Sequence, residues 1–260
     1  MRGFVNAMVI AVRARPEFLN GPTVFVVLIG SPTLLAALYL AVASASGTSS
    51  IEPPDAVAAG LAVAGVMSTM SSSSLLSADQ VHATLPFIVI APANRALVWT
   101  ARVFVVTSIG VVQGIVSVVA SFAVTRNAPS IAQALPVFGL VVLAAVVSVG
   151  LGLSIAALGL VLRDSMLVPN IAEQGLTVLC GAVAPVATLW SPLQSIAQVL
   201  PVTHVVAAGR ATATGGPPLL MESSLSVIAG IAWGVVGVAI WLVLERHARR
   251  TGAIESMSIG

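Results

Sequence analysis

The chain contains no lysine; all 11 of its basic residues are arginine. A P-loop places a lysine beneath the phosphates, so this chain has no such site, and any ATP acting on it must sit on another subunit. Cys180 is the only cysteine, which excludes an intrachain disulfide and a cysteine-cluster metal site. It reads as a small apolar residue in a helix. His82, His204 and His247 lie in three separate segments with no partner at ligand spacing, so no metal site is expected. Charged residues make up 8% of the chain, where a soluble domain carries about 25%. No polar stretch is long enough for a second, soluble domain. Aromatic residues are scarce too, at 5%, which disfavours a long sugar-stacking channel.

What is present is apolar. Hydrophobic residues reach 58% and the mean hydropathy is +1.06. The expected class is an all-α integral membrane protein forming a single domain over residues 1–260. An isoelectric point near 9.5 rests on a net charge of only +2. Arginines at membrane edges account for it, and no nucleic-acid partner is implied. Arginine in place of lysine, with abundant Ala, Val and Gly, points to a GC-rich bacterial genome.

Phe4, Val5, Met8, Val9 and Val12 recur at helical spacing, predicting an in-plane surface helix within residues 2–20. A signal peptide would need a small-residue cleavage site where Arg13, Arg15 and Pro16 stand. About 20 apolar residues cross a bilayer, and six segments qualify as spans: 23–45, 56–78, 103–124, 135–162, 169–190 and 225–244. Pro32 is expected to kink the first. Gly110 with Gly114, Gly150 with Ser154, and Gly230 with Gly234 are expected to pack helices within one bundle.

The stretch from Gly181 to Arg210 is apolar enough for a membrane yet cannot be one plain helix. Pro185, Pro192 and Pro201 each remove a helix-bonding N–H and disfavour helix in the residue before them. In lipid the freed backbone groups must be satisfied by protein or by a wet cavity. A broken, re-entrant element over residues 191–218, between spans five and six, is the expected form.

Arg2, Arg13, Arg15, Arg95, Arg102, Arg163, Arg246, Arg249 and Arg250 fall on one side of this topology, against Arg126 and Arg210 on the other. The positive-inside rule puts both termini in the cytoplasm, with 191–218 extracellular and membrane lipids around the bundle. Trp99, Trp190 and Trp241 stand where interfacial anchors belong. Ser71, Ser74 and Glu173 are the candidates for a polar pathway. Each also has a plain structural reading: the serines as hydroxyls bonded back to the preceding helical turn, Glu173 as a carboxylate favoured by the helix dipole after Pro169. An intramembrane enzyme would have to draw its catalytic groups from these residues, the serines between them and His204, and no catalytic residue is assigned.

Two segments carry a family resemblance. SADQVHATLPFIVIAPANRALVWTARV, after span two, is similar to a pattern with a polar acidic turn, a proline-containing segment, an arginine and an Ala-Arg start of the next span; Asp79, Pro92, Arg95 and Arg102 match it, and His82 stands in its polar turn. GAVAPVATLWSPLQSIAQVLPVTHVVAAGR resembles a closing pattern matched here by Gly181, Pro185, Pro192, Pro201, Thr203 and Arg210. With the surface helix and six spans, the chain resembles the permease subunit of an ABC-2 type transporter, of the bacterial multidrug or antibiotic efflux kind. His204 departs from the frequent aromatic, and the polar turn is less densely charged than usual.

The resemblance implies a half-transporter in the bacterial cytoplasmic membrane, exporting hydrophobic or amphipathic small molecules. A cell-envelope lipid or glycan precursor is the alternative cargo. Two copies of a nucleotide-binding ATPase subunit would carry ATP and Mg, this chain binding no cofactor, and a second permease chain, identical or a sibling, would complete the assembly. Asp79, His82, Arg95 and Arg102 would lie at the ATPase-coupling face. Pro185, Pro192, Pro201, Thr203 and Arg210 would form the exterior gate.

Overall fold

The computed structural model describes residues 2–15, 18, 20–45, 52–81, 95–126, 131–160, 167–214 and 219–251. Among the described residues every regular element is helical. In chain order they are α1 (Arg2–Arg13), α2 (Gly21–Ala45), α3 (Pro53–Val81), α4 (Arg95–Thr125), α5 (Ile131–Gly159), α6 (Leu167–Leu179), a 3-10 turn (Val186–Thr188), α7 (Ser191–Val199), α8 (Pro201–Thr214) and α9 (Leu219–Thr251). Five of these, α2, α3, α4, α5 and α9, contain stretches long and apolar enough to cross a membrane.

The core is built around α3. It packs against α4, α5, α8, α2 and α6, and Ala56, Ala58, Ala59, Ala62 and Ala64, which lie all round the helix, are fully buried. Small side chains permit this because neighbouring backbones can come close. A Cβ on Gly60 would stand 2.8 Å from the Val118 Cα, and one on Gly65 would stand 2.7 Å from the Val202 side chain. The glycine pairs of the sequence do pack helices inside the bundle. Gly150 faces Gly230 and Gly234, joining α5 to α9, and the Ser154 hydroxyl donates to the Trp233 carbonyl across the same seam.

Pro32 distorts α2 by a route other than a plain kink. Residues Val26–Gly30 form a π-helical turn, in which the Ser31 N–H reaches back to the Val26 carbonyl. The next bond in that register would need an N–H from Pro32, which has none. The Val27 carbonyl is instead taken by the Gln113 side-chain amide of α4 at 2.9 Å. The freed group thus becomes a tie between two helices.

α1 is amphipathic as expected but ends at Arg13, before the expected limit of residue 20. It lies on α4, with Phe4 edge-on to Phe104 at 6.2 Å and Met8 and Ala11 packed near Val105 and Ile109. Val5, Val9 and Ile10 remain exposed on its other side.

The expected span over 169–190 is corrected to a shorter helix and a break. α6 has 13 residues, about 20 Å long, short of a roughly 30 Å hydrocarbon core. It stops because Gly181 takes φ +77°, a left-handed conformation in which glycine carries no steric penalty, and Pro185 follows. Most other helices overrun their expected ends, because helical hydrogen bonding continues beyond the apolar window into polar flanks. The clearest cases are α3, which starts at Pro53 and runs to Val81, and α4, which opens at Arg95 instead of 103.

Candidate functional site

The broken segment makes a re-entrant path. From the end of α6 the chain passes the 3-10 turn and α7, and reaches Leu200, which packs with Val66, Leu151 and Leu176 deep in the bundle. It then turns back as α8, which runs against α3 so that Val202 lies at Gly65 and Gly209 at Leu61 and Val57. The prolines decide where each piece starts. Pro192 sits in the first turn of α7 and Pro201 opens α8, positions where a missing N–H costs nothing.

Side chains satisfy the backbone groups these breaks release. The Gln194 amide donates to the Leu189 carbonyl at 2.7 Å and the Ala187 carbonyl at 3.1 Å, fixing α7 to the 3-10 turn. The Thr203 hydroxyl donates to the last carbonyl of α6, Leu179, at 3.3 Å. Trp233 of α9 donates from its indole to the Val199 carbonyl at 2.9 Å. Arg210 donates to the Gly181 and Ala182 carbonyls, each at 3.1 Å, and pairs with Asp55 at 2.5 Å. One guanidinium therefore holds the broken end of α6, the end of α8 and the start of α3.

A second clip involves His204. Its Nδ1 lies 2.9 Å from Glu222 of α9 and its Nε2 lies 2.9 Å from the Gln198 carbonyl of α7. The imidazole thus links α7, α8 and α9. Beneath these helices lies a cavity of about 670 Å³, lined in part by Gln194, Gln198, His204, Arg210 and Glu222.

The opposite end of α3 carries a different cluster. Asp79 accepts two hydrogen bonds from Arg102 of α4, at 2.6 and 2.8 Å, in the fork geometry that gives such pairs their strength. The pair is nearly buried, with side chains 9% and 12% exposed. Arg102 also lies over the Trp99 ring at 5.2 Å, and Trp99 meets Trp241 of α9 edge to face at 5.7 Å. Arg15, just beyond α1, donates to the Ser71 carbonyl at 2.9 Å. Arg102 is thus engaged within the chain and is not a free cation at the surface. Arg95 marks the start of α4, and its side chain lies outside the described residues, as does the whole of His82.

The polar-pathway candidates do not converge. The Ser74 hydroxyl bonds back to the Ser71 carbonyl, and among the described residues no hydrogen bond or ion pair joins either serine to Glu173 on α6. Among the described residues no group of three His, Cys, Asp or Glu side chains could hold a metal ion. Sequence reasoning overlooked Asp55, Glu222, Gln194 and Gln113. The available signal for the first two was an acidic residue near a helix start on the same side of the topology as Arg210 and His204.

Both ends of the described chain reach the same side of the bundle: α1 lies near Phe104, and α9 brings Trp241 to Trp99. The short α6 with the broken helices therefore completes the passage that no single helix makes there. This architecture agrees with the comparisons with known proteins. No curated protein matches the chain. A family model, that of the ABC-2 type transporter, matches residues 6–213. That match covers most of the sequence, including α3 and the whole broken segment, and the chain belongs to the ABC-2 type transporter family as its membrane-embedded permease.

Proposed function

We propose that this permease is the membrane half of an ATP-driven exporter of hydrophobic or amphipathic small molecules. The observation that carries the reading is the pair of ion clusters at the two ends of one helix. α3 bears Asp55 at its start and Asp79 near its end, about 36 Å apart along a continuous helix. Asp79 and Arg102 face the end where a separate nucleotide-binding ATPase, in two copies and carrying ATP and Mg, docks with both termini on the cytoplasmic side. Asp55 and Arg210 hold the broken helices that act as the outer gate. A rigid rod between two polar clusters lets a contact at one end bias a two-state element at the other.

The cargo class follows from what lines the bundle. The uncharged side chains of Ser, Thr and Gln supply nearly all its buried polarity, which gives an ion-coupled carrier little to work with. A recess of about 420 Å³ between Trp99, Val103, Leu153, Gly237 and Trp241 offers an apolar, aromatic surface near the coupling end. A second permease chain, identical or a sibling, completes the transporter in the bacterial cytoplasmic membrane.

The test begins with mild extraction of the tagged chain from its native membrane and mass spectrometry of what accompanies it. Recovery of a P-loop subunit is expected, and the reconstituted complex should show ATPase activity that amphipathic drugs stimulate. Pro192→Ala with Pro201→Ala should lower export while assembly persists. A chain that emerges alone after crosslinking, or normal export by the double variant, overturns the coupling or the gate respectively.

A further inference from the structure

α4 and α5 both pack on α3 and also touch each other. Between them lies an apolar slot of about 510 Å³, walled by Ile115, Val119 and Phe122 on α4 and by Val137, Phe138 and Val141 on α5. Its floor is closed, since Val141 and Phe122 belong to the core around α3, while its mouth is open, with Val119 62% and Phe138 50% exposed. On α4 the lining runs from Ile115 to Arg126, about 17 Å of helix, which matches one leaflet of a roughly 30 Å hydrocarbon core.

Among the described residues Arg126 is the only charged side chain in the lining, and it stands at one end of the slot. It is exposed and takes φ +55°, the left-handed conformation that ends helices and that usually falls to glycine. A side chain there costs about 1 kcal/mol of strain, where a glycine would cap the helix more easily. A leaflet-deep apolar groove with one cation at its polar end has the layout of a glycerophospholipid: acyl chain below, phosphate above.

We propose that the slot between α4 and α5 binds one phospholipid from the surrounding bilayer, with an acyl chain between Val119 and Phe138 and its phosphate on Arg126. The slot shares no lining residue with the cavity beside the broken helices or with the Asp79–Arg102 pair, and it does not depend on the transport reading. Guanidinium is suited to it because it forks onto phosphate oxygens.

The experiment uses the full chain in mild detergent, titrated with dioleoyl phosphatidylglycerol and read by native mass spectrometry. Dioleoylglycerol, with the same chains and no phosphate, is the comparison lipid. We expect Arg126→Gln to weaken phosphatidylglycerol retention about tenfold, as loss of a charge-assisted hydrogen bond would, and to leave dioleoylglycerol retention unchanged. Arg126→Lys should restore most of the difference. Ala134→Trp, which fills the slot from an exposed position, should lower retention of both lipids. Thermal unfolding of each variant separates these losses from misfolding. Equal retention of phosphatidylglycerol by wild type and Arg126→Gln overturns the proposal. So does competition by millimolar inorganic phosphate, which would mark a simple anion site.

Discussion

α3 and α9 are both long helices of a membrane protein, and they have opposite surroundings. In α3, 83% of the apolar stretch is buried at a mean hydropathy of 1.4; in α9, 11% is buried at 2.5. The less hydrophobic helix is the interior one. In water the order would be reversed, because burial there is driven by apolar area leaving solvent. In lipid that drive is absent between helices, so close backbone approach and satisfied polar groups select the core. α3 has the means: glycines, alanines and serines whose hydroxyls bond within the helix, as Ser72 does to the Ser68 carbonyl at 2.6 Å. α9 meets α5 along a narrow glycine seam, reaches α8, α7 and α4 through Glu222, Trp233 and Trp241, and leaves Ile228, Ile231, Val235 and Val243 exposed.

The contrast breaks most sharply at Gly60. Leucine there would drive a side chain into the Val118 backbone, which cannot yield, and we expect a loss of about 3 kcal/mol or failure to fold. Unfolding in detergent, or the yield of monodisperse protein, measures it; an unaltered protein would mean that α3 is not the packing centre. Next in size is the Asp79–Arg102 pair. Arg102→Ala leaves a nearly buried carboxylate without its fork partner and should cost about 2 to 3 kcal/mol, less than a fully buried pair because both groups reach some solvent. Exchanging the two, Asp79→Arg with Arg102→Asp, should recover part of the stability while transport coupling stays impaired.

Arg210→Ala is expected to cost about 1 to 2 kcal/mol, since its pair with Asp55 is 21% and 23% exposed but two carbonyls are also released. A double-mutant cycle with Asp55→Ala separates the ion pair from the capping bonds. The smallest effect belongs to α9: Val235→Leu, on an exposed face, should change stability by less than about 0.5 kcal/mol. A large loss there would show that this face packs against protein in the assembled transporter.

Much of the fold was legible from residues alone. The prolines at 185, 192 and 201 forced a break, and α7 and α8 start where Pro192 and Pro201 put them. The amphipathic start was readable because its apolar residues recur at helical spacing. The crossing over 169–190 was misjudged because a hydropathy window counts apolar residues whether or not they continue one helix, and Gly181 ends α6 by backbone conformation. Thr203 and Arg210, expected at an exterior gate, both donate to backbone carbonyls at or just past the end of α6. The acidic partner was overlooked because it is remote in sequence: Arg210 meets Asp55 across 155 residues.

The sequence by itself determined the solvent this protein lives in, its helical class, and the points where helices must stop, because hydropathy and missing N–H groups are local properties. Only the tertiary structure decided which helix lies at the centre, and that one rod carries an ion pair at each end. Windows of similar apolar composition do not distinguish a face against lipid from a face against protein. That choice is made by which backbones can approach, and it depends on all the helices at once.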